Sequence, residues 1–189
     1  MVGERKYVWA ALQHSSIKEE CVGLWEKERM LSIIASNKRW IDGHKLRHEA
    51  ITRYRKYLDV YGNGYNDFID TNPLGKVIAL APYYFTIIIP NTVIDDWFSD
   101  QITEAFSVGT IPIFRGTKNV HKYFNIDGII QFDNLDELGE IIPKLSKDLY
   151  QSKQAAILDN LERSKQYITV ATWLYENKKD FLENLKPNK

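Results

Sequence analysis

Positive charge is concentrated near the start of the chain, at the beginning of a predicted helix. Lys38 and Arg39 lie in a polar loop, and His44 and Arg47 lie in the first turns of the helix that begins near Gly43. A helix N-terminus attracts anions through its unpaired backbone N–H groups, and basic side chains add charge-assisted hydrogen bonds. The segment therefore predicts a phosphate-binding site, with a solvated basic loop as the alternative.

A second group of polar residues follows a predicted buried strand at residues 85–89, which ends at Pro90. Four apolar residues at helical spacing predict a helix there with one buried face: Phe98, Ile102, Ala105 and Phe106. The first turn of that helix is expected to hold five polar residues: Asp95, Asp96, Ser99, Asp100 and Gln101. Because open α/β sheets bind ligands at the carboxyl ends of their strands, these residues predict a ligand site.

Short apolar segments predict the strands that hold the two helix starts in place. Five strands are expected, at residues 31–36, 58–61, 85–89, 110–114 and 128–132, and helical patterns alternate with them. This alternation implies right-handed crossovers and a parallel sheet with helices on both faces. The expected fold class is α/β, a doubly wound, Rossmann-like parallel sheet, with a long C-terminal helix over residues 153–182.

Composition restricts the classes of function. The 189 residues are enough for one domain of ordinary size, and 25 basic residues balance 25 acidic ones, which argues against a nucleic-acid partner. Cys21 is the only cysteine, so a reducing, cytoplasmic location is expected. No apolar run reaches the length of a membrane span. His14, His121 and Asp127 have no second ligand at metal spacing, so no metal site is assigned. The absence of Gly-x-Gly-x-x-Gly and Gly-Lys-Ser/Thr motifs argues against dinucleotide and ATPase domains.

The order of these motifs resembles the family-ten glycosyltransferases, the α-1,3-fucosyltransferases. In that family a strand ends in Glu-Asn, a run similar to Asp-Tyr-x-Thr-Glu-Lys opens a helix, and Gly-Thr-x-Pro-Val/Ile follows. The corresponding segments here are Pro90-Asn91, residues 95–101 (DDWFSDQ) and residues 109–113 (GTIPI). The resemblance covers about residues 31–150, the length of one lobe.

The resemblance implies a binding site for a nucleotide-sugar donor, most simply GDP-fucose, with no other cofactor required. A basic residue near the first helix start would contact the diphosphate, and spacing leaves three positions open: Lys38, His44 and Arg47. Asp100 stands where the family has a ribose-binding glutamate, and the neutral Gln101 stands where it has a lysine. Three further positions match the family's donor site: Asn91, Asp96 and Trp97.

Each of these assignments has a structural alternative. Asn91 would also suit an Asx turn after Pro90. An aspartate at position 100 would also be expected from the helix dipole alone, which is worth about 0.3–1 kcal/mol at an exposed site. Trp97 would also suit the core or its rim.

The implied architecture is the C-terminal, donor-binding lobe of a two-lobed GT-B glycosyltransferase. Residues 1–30 are expected to be a connector or the remnant of a preceding lobe, residues 31–152 the nucleotide-sugar-binding domain, and residues 153–189 a helix packed back on it. The complete enzyme is expected to transfer a sugar, most simply fucose from a GDP donor, to a glycan hydroxyl with inversion.

No catalytic residue is identified in the sequence. In the resembled enzymes the general base comes from the N-terminal lobe, so a separate acceptor lobe or chain is the expected partner. Two alternatives are a non-catalytic nucleotide-sugar-binding or scaffolding domain, favoured by Pro90, Asp100 and Gln101, and a transferase that uses another nucleotide sugar. An unrelated doubly wound regulatory domain is a third.

Overall fold

The computed structural model describes residues 15–65 and 73–169 of the chain. Its central sheet is built from five strands in the order β2-β1-β3-β4-β5. In chain order these are β1 Arg29–Ile34, β2 Asp59–Tyr61, β3 Tyr83–Ile88, β4 Ile111–Phe114 and β5 Ile130–Gln131. All neighbouring strands pair in parallel, which confirms the predicted doubly wound, Rossmann-like fold. From β1 the chain turns to one side of the sheet and from β3 to the other.

The described residues form six α-helices around the strands: α1 Asp42–Tyr54, α2 Pro73–Leu80, α3 Asp100–Ser107, α4 Leu135–Ile141, α5 Lys147–Ser152 and α6 Gln154–Ser164. Helices α1 and α4 share one core cluster with alternate strand residues such as Ile33 and Ile87. Helix α3 forms a second cluster on the opposite face, with Ile88 and Phe114. Because both faces are covered, β4 is buried at every position, which explains its continuous apolar sequence.

The start of α3 differs from the sequence prediction. The helix begins at Asp100 with Ser99 as its N-cap, so Asp95 and Asp96 lie in the preceding loop and not in the first helical turn. Asp96 has a positive φ of 59°, which is incompatible with a right-handed helix. Its carboxylate pairs with Lys122 at 2.7 Å and its backbone N–H donates to Thr117 Oγ1 at 3.3 Å. These contacts hold the loop in its non-helical conformation.

Other boundaries also shift. Helix α2 ends at Leu80, and Tyr83, the first residue of β3, already pairs with Arg29 in the sheet. The last strand is only two residues long, because a 3-10 turn at Ile126–Gly128 occupies its expected beginning. The C-terminal helix is interrupted: α6 ends at Ser164 and a 3-10 turn follows at Lys165–Tyr167. The rest of the expected helix, residues 170–182, lies outside the described residues.

Lys27 fixes the amino edge of the sheet. Its ammonium donates to the carbonyl oxygens of Ala81 and Val108, at 2.8 and 2.7 Å, where α2 and α3 end. It also donates to Thr110 Oγ1 at 2.9 Å, and that hydroxyl in turn donates to Leu80 O at 2.7 Å. Burial lowers the pKa of Lys27 to about 7. Nevertheless the charged form fits the site, because three acceptors require all three N–H groups of an ammonium.

Candidate functional site

Helices α1 and α3 both begin at the carboxyl edge of the sheet, beside the point where the strand order reverses between β1 and β3. The first turn of α1 packs directly on the backbone that follows β3. A Cβ atom added to Gly43 would lie 2.3 Å from Pro90 O and 2.6 Å from Asn91 O, so only glycine fits there. The crevice at such a reversal is the usual ligand position in open α/β sheets.

Arg47 is the basic residue that the fold buries at this edge. The residue is 9% exposed. Nη2 donates to Asn91 Oδ1, and Nε donates to Gly43 O at 3.3 Å. Among the described residues its hydrogen-bond partners are these neutral oxygens, and burial lowers the pKa of Arg47. Burying a charge is costly unless it is paired, so this guanidinium is suited to an anionic ligand.

His44, one helical turn before Arg47, presents a second incomplete group. It is buried, and in the described part of the structure its Nδ1 has no hydrogen-bond partner. Desolvation lowers the pKa of His44, and the positive charges of Arg47 and Lys38 lower it further, although an interaction with Asn91 opposes them. The lowered pKa favours the neutral imidazole at pH 7. A ligand that supplied negative charge would reverse this balance.

A third incomplete group lies at the start of α3. Ser99 is buried, yet its hydroxyl has no partner within the described residues and makes no side-chain capping bond to the helix. Buried polar atoms without partners are rare in folded proteins. Each of the two helix starts thus contributes one unsatisfied buried polar atom at the same edge of the sheet.

Lys38 is exposed in the loop before α1, with its ammonium 5.7 Å from the centroid of the Trp40 ring. His48, on α1, supports this loop through the loop's backbone. The carbonyl of Lys38 lies 3.0 Å from His48 Nε2, and Tyr65 hydrogen-bonds His48 Nδ1. Because a carbonyl only accepts, the hydrogen of a neutral His48 belongs on Nε2 and Tyr65 is the donor.

A cavity of about 660 Å³ opens at the start of α1, and of the predicted site residues it is Asn91 that lines it. It is lined by the beginning of α1, the loop after β3 and Arg115, which directly follows β4. Its volume falls within the range of small-molecule sites. Sequence reasoning missed Arg115, Thr92 and Val93 as lining residues; the only signal was that Arg115 directly follows a buried strand.

The predicted residues around the start of α3 separate into different environments. Asp96 is held by Lys122, and Trp97 and Gln101 are partly buried. The side chain of Asp100 is 43% exposed and lies 3.5 Å from Lys76 Nζ. The structure therefore brings Arg47, His44 and Asn91 together, and it pairs Asp100 with a lysine that sequence reasoning missed. The available signal was that Lys76 is the only charged residue in α2.

Two further observations concern the described residues only. They contain no group of three or more His, Cys, Asp or Glu placed to hold a metal ion. Their helices are all too short or too polar to cross a membrane.

Comparisons with known proteins show the family and agree with the fold. The model of the family described as glycosyltransferase family 10 (fucosyltransferase) C-term matches residues 24–176. The chain is 22% identical over 166 residues to 4-galactosyl-N-acetylglucosaminide 3-alpha-L-fucosyltransferase 9 of Mus musculus, a match that covers 84% of the chain and 40% of the relative. The Homo sapiens protein of the same name is also 22% identical, over 163 residues, with the same coverage. The chain thus spans about 40% of the length of these curated relatives.

Solved structures of α1,3-fucosyltransferases have the same fold. One with GDP-fucose superimposes with a TM-score of 0.51 at 26% identity, over 71% of this chain and 38% of that one. Another with GDP gives a TM-score of 0.53 at 20% identity, over 75% of this chain and 47% of that one.

Proposed function

Because this chain belongs to glycosyltransferase family 10, the fucosyltransferases, we propose that it is the donor-binding lobe of such an enzyme. The donor we propose is a nucleotide sugar, most simply GDP-fucose, since a structurally similar α1,3-fucosyltransferase was crystallised with that compound. In this proposal residues 31–152 bind the donor and the segment beyond them packs back on the domain. The acceptor is a glycan hydroxyl.

The buried position of Arg47 is the observation that carries the proposal. Its guanidinium is buried at the carboxyl edge with only neutral oxygens as partners in the described structure, one turn from the unsatisfied Nδ1 of His44. A diphosphate placed there would form an ion pair with the guanidinium. The dipole of α1, a helix of 13 residues, would further stabilise its negative charge. Of the three basic positions that spacing left open, Arg47 is therefore the one we assign to the diphosphate.

The proposed chemistry follows from that placement. When the acceptor hydroxyl attacks the anomeric carbon from the face opposite the diphosphate, with inversion, negative charge develops on the departing phosphate oxygens. Arg47 and the N–H groups of α1 would stabilise that charge. Asp100, partly exposed at the start of α3, would accept hydrogen bonds from the ribose hydroxyls. We propose that the base which takes the acceptor proton belongs to an acceptor lobe or partner chain.

Isothermal titration with GDP, UDP and their sugar conjugates tests the proposal. Arg47→Ala should weaken GDP binding by about 1.5–3 kcal/mol, the value of a hydrogen bond to a charged group. Arg53→Ala is the matched control, because Arg53 lies on the same helix but is exposed and pairs with Glu49 and Asp136. Equal GDP affinity for wild type and Arg47→Ala, or no binding of any nucleotide, would contradict the assignment.

Catalysis by the 189-residue chain alone is a separate question. A positioned general base contributes typically 10²- to 10⁴-fold to a rate, and we assign none within the chain. The chain is therefore expected to bind a nucleoside diphosphate but to show no useful transfer to a glycan acceptor. Measured turnover by the purified chain would place the base within it.

A non-catalytic nucleotide-sugar-binding domain is the second candidate. It is favoured by the neutral Gln101, which brings no charge to a diphosphate, and by the ion pair that already engages Asp100. Adding an acceptor lobe as a separate protein distinguishes the two candidates: a lobe with a catalytic role gains transferase activity, and a binding domain does not.

A further inference from the structure

We propose that Lys76 is a positioning residue, held by the buried Glu104, that orients the carboxylate of Asp100 toward the ribose of the donor. This inference rests on the proposed function. Lys76 comes from α2 and both carboxylates come from α3, so the assembly joins two helices on the same face of the sheet at its carboxyl edge.

Glu104 provides the fixed end of the assembly. Its side chain is 0% exposed, and its Oε1 accepts from the backbone N–H of Ser16 at 3.1 Å and from Ser16 Oγ at 2.5 Å. The same oxygen accepts from Lys76 Nζ at 2.5 Å. Because Glu104 is anchored inside the core, the ammonium that it binds has little freedom to move.

Lys76 transmits that restraint to Asp100. Its side chain is 24% exposed, and its Nζ lies 3.5 Å from Asp100 Oδ2. Asp100 and Glu104 are four residues apart on α3, so they share one face of the helix, and an ammonium has enough donors to serve both. The side chain of Asp100 is 43% exposed and stays accessible to a ligand.

The charges of the assembly decide which part of a donor it can recognise. Two carboxylates and one ammonium leave a net charge of about −1, which repels a diphosphate and favours hydroxyl groups as hydrogen-bond donors. Lys76 therefore does not replace the positive charge that Gln101 lacks. Instead it holds one side of a short carboxylate, so that the exposed side faces ribose hydroxyls in a fixed orientation.

The test compares ligands that differ only in the ribose. GDP, 2′,3′-dideoxy-GDP and inorganic pyrophosphate are titrated into four proteins: wild type, Asp100→Asn, Glu104→Gln, and the double variant Lys76→Met/Glu104→Gln. The double variant removes the ammonium together with the buried charge that it neutralises, so no unpaired carboxylate remains in the core. Glu104→Gln alone is the matched control: its amide oxygen can still accept from Lys76 Nζ and hold it beside Asp100, so this variant separates removal of the buried charge from removal of the ammonium.

Wild type should prefer GDP over the dideoxy compound by about 10- to 100-fold, as expected for hydrogen bonds to a charged group. Asp100→Asn and the double variant should each lose most of this preference, whereas Glu104→Gln should retain it. Pyrophosphate affinity should stay within about twofold in all four proteins, because it has no ribose. Thermal unfolding confirms that each variant is folded, and Asp100→Asn, at a partly exposed position, can still refute the inference where the double variant is unstable.

Four results would overturn the inference. An undiminished ribose preference in the double variant, or in Asp100→Asn, removes the positioning role. A parallel loss of GDP and pyrophosphate affinity in the double variant would make Lys76 a phosphate ligand. GDP binding to wild type without any ribose preference contradicts this inference alone, whereas no binding of GDP or pyrophosphate contradicts the proposed function as well.

Discussion

Replacing Arg47 by methionine should weaken diphosphate binding without weakening the fold. The two effects have one cause, because the guanidinium is buried without a charged partner among the described residues. Methionine has a similar length and carries no charge. Asn91 is exposed, so water can replace the donor that its side chain loses.

The size of each effect follows from the contacts. Two hydrogen bonds from a charged donor are worth about 3–6 kcal/mol together. Desolvation of a buried ion costs several kcal/mol, and replacing buried ionic groups by apolar ones is often neutral or stabilising by about 1–4 kcal/mol. We therefore expect Arg47→Met to raise the free energy of unfolding by about 0–2 kcal/mol. The lost phosphate contact should cost about 1.5–3 kcal/mol, which is roughly a 10- to 150-fold rise in the Kd for GDP.

Urea denaturation measures the first quantity and isothermal titration the second, both at the same ionic strength. Arg53→Met serves as the control, since Arg53 is exposed on the same helix and should change neither quantity by much. A variant that lost more than about 2 kcal/mol of stability and kept its GDP affinity would refute the reasoning, because Arg47 would then be a structural residue.

The remaining predictions concern Lys27, His44 and the start of α3. Lys27→Met should lower the free energy of unfolding by about 2–4 kcal/mol in denaturant titrations, because three acceptors lose their donor, and it should leave GDP affinity unchanged. The pKa of His44 is lowered from 6.5 in the folded state, so below about pH 6.5 the unfolded chain binds more protons than the folded protein does. The free energy of unfolding should therefore decrease as the pH falls below about 6.5, and His44→Asn should flatten that part of the curve of stability against pH. Binding of a diphosphate beside His44 should instead raise that pKa, which calorimetry near pH 6 would detect as proton uptake. Asp100→Glu combined with Gln101→Lys should tighten GDP binding by roughly tenfold through the added charge, and no gain would indicate that the pocket serves another ligand.

The fold class could be predicted because its evidence is local. Strands β3 and β4 are apolar runs that end at Pro90 and Gly116, and such runs indicate buried strands wherever they occur. The start of α3 could not be placed correctly from the same letters. The polar residues before it resemble a first helical turn, and only the positive φ of Asp96 and its pairing with Lys122 exclude them from the helix.

The site was predictable to the extent that it depends on helix starts. Charge at the beginning of α1 was visible in the sequence, but spacing could not choose among its basic residues. Burial distinguishes Arg47 from the exposed Lys38, and burial is a property of the assembled fold. Lys76 could not be assigned a role, because its partner Glu104 is 28 positions away and the contact exists only when two helices pack together.

The hydrogen bonds made by the Lys27 ammonium affect which substitutions this protein can tolerate over evolutionary time. They secure α2 and α3 at their carboxyl ends, on the side of the sheet remote from the site. Substitutions at the opposite end of α3, such as those at Asp100 and Gln101, alter side chains that are not fully buried and leave this anchor intact. The binding edge can therefore acquire a new ligand preference without loss of the fold. A random library confined to that edge should contain mostly folded proteins, whereas a library at the amino edge should not.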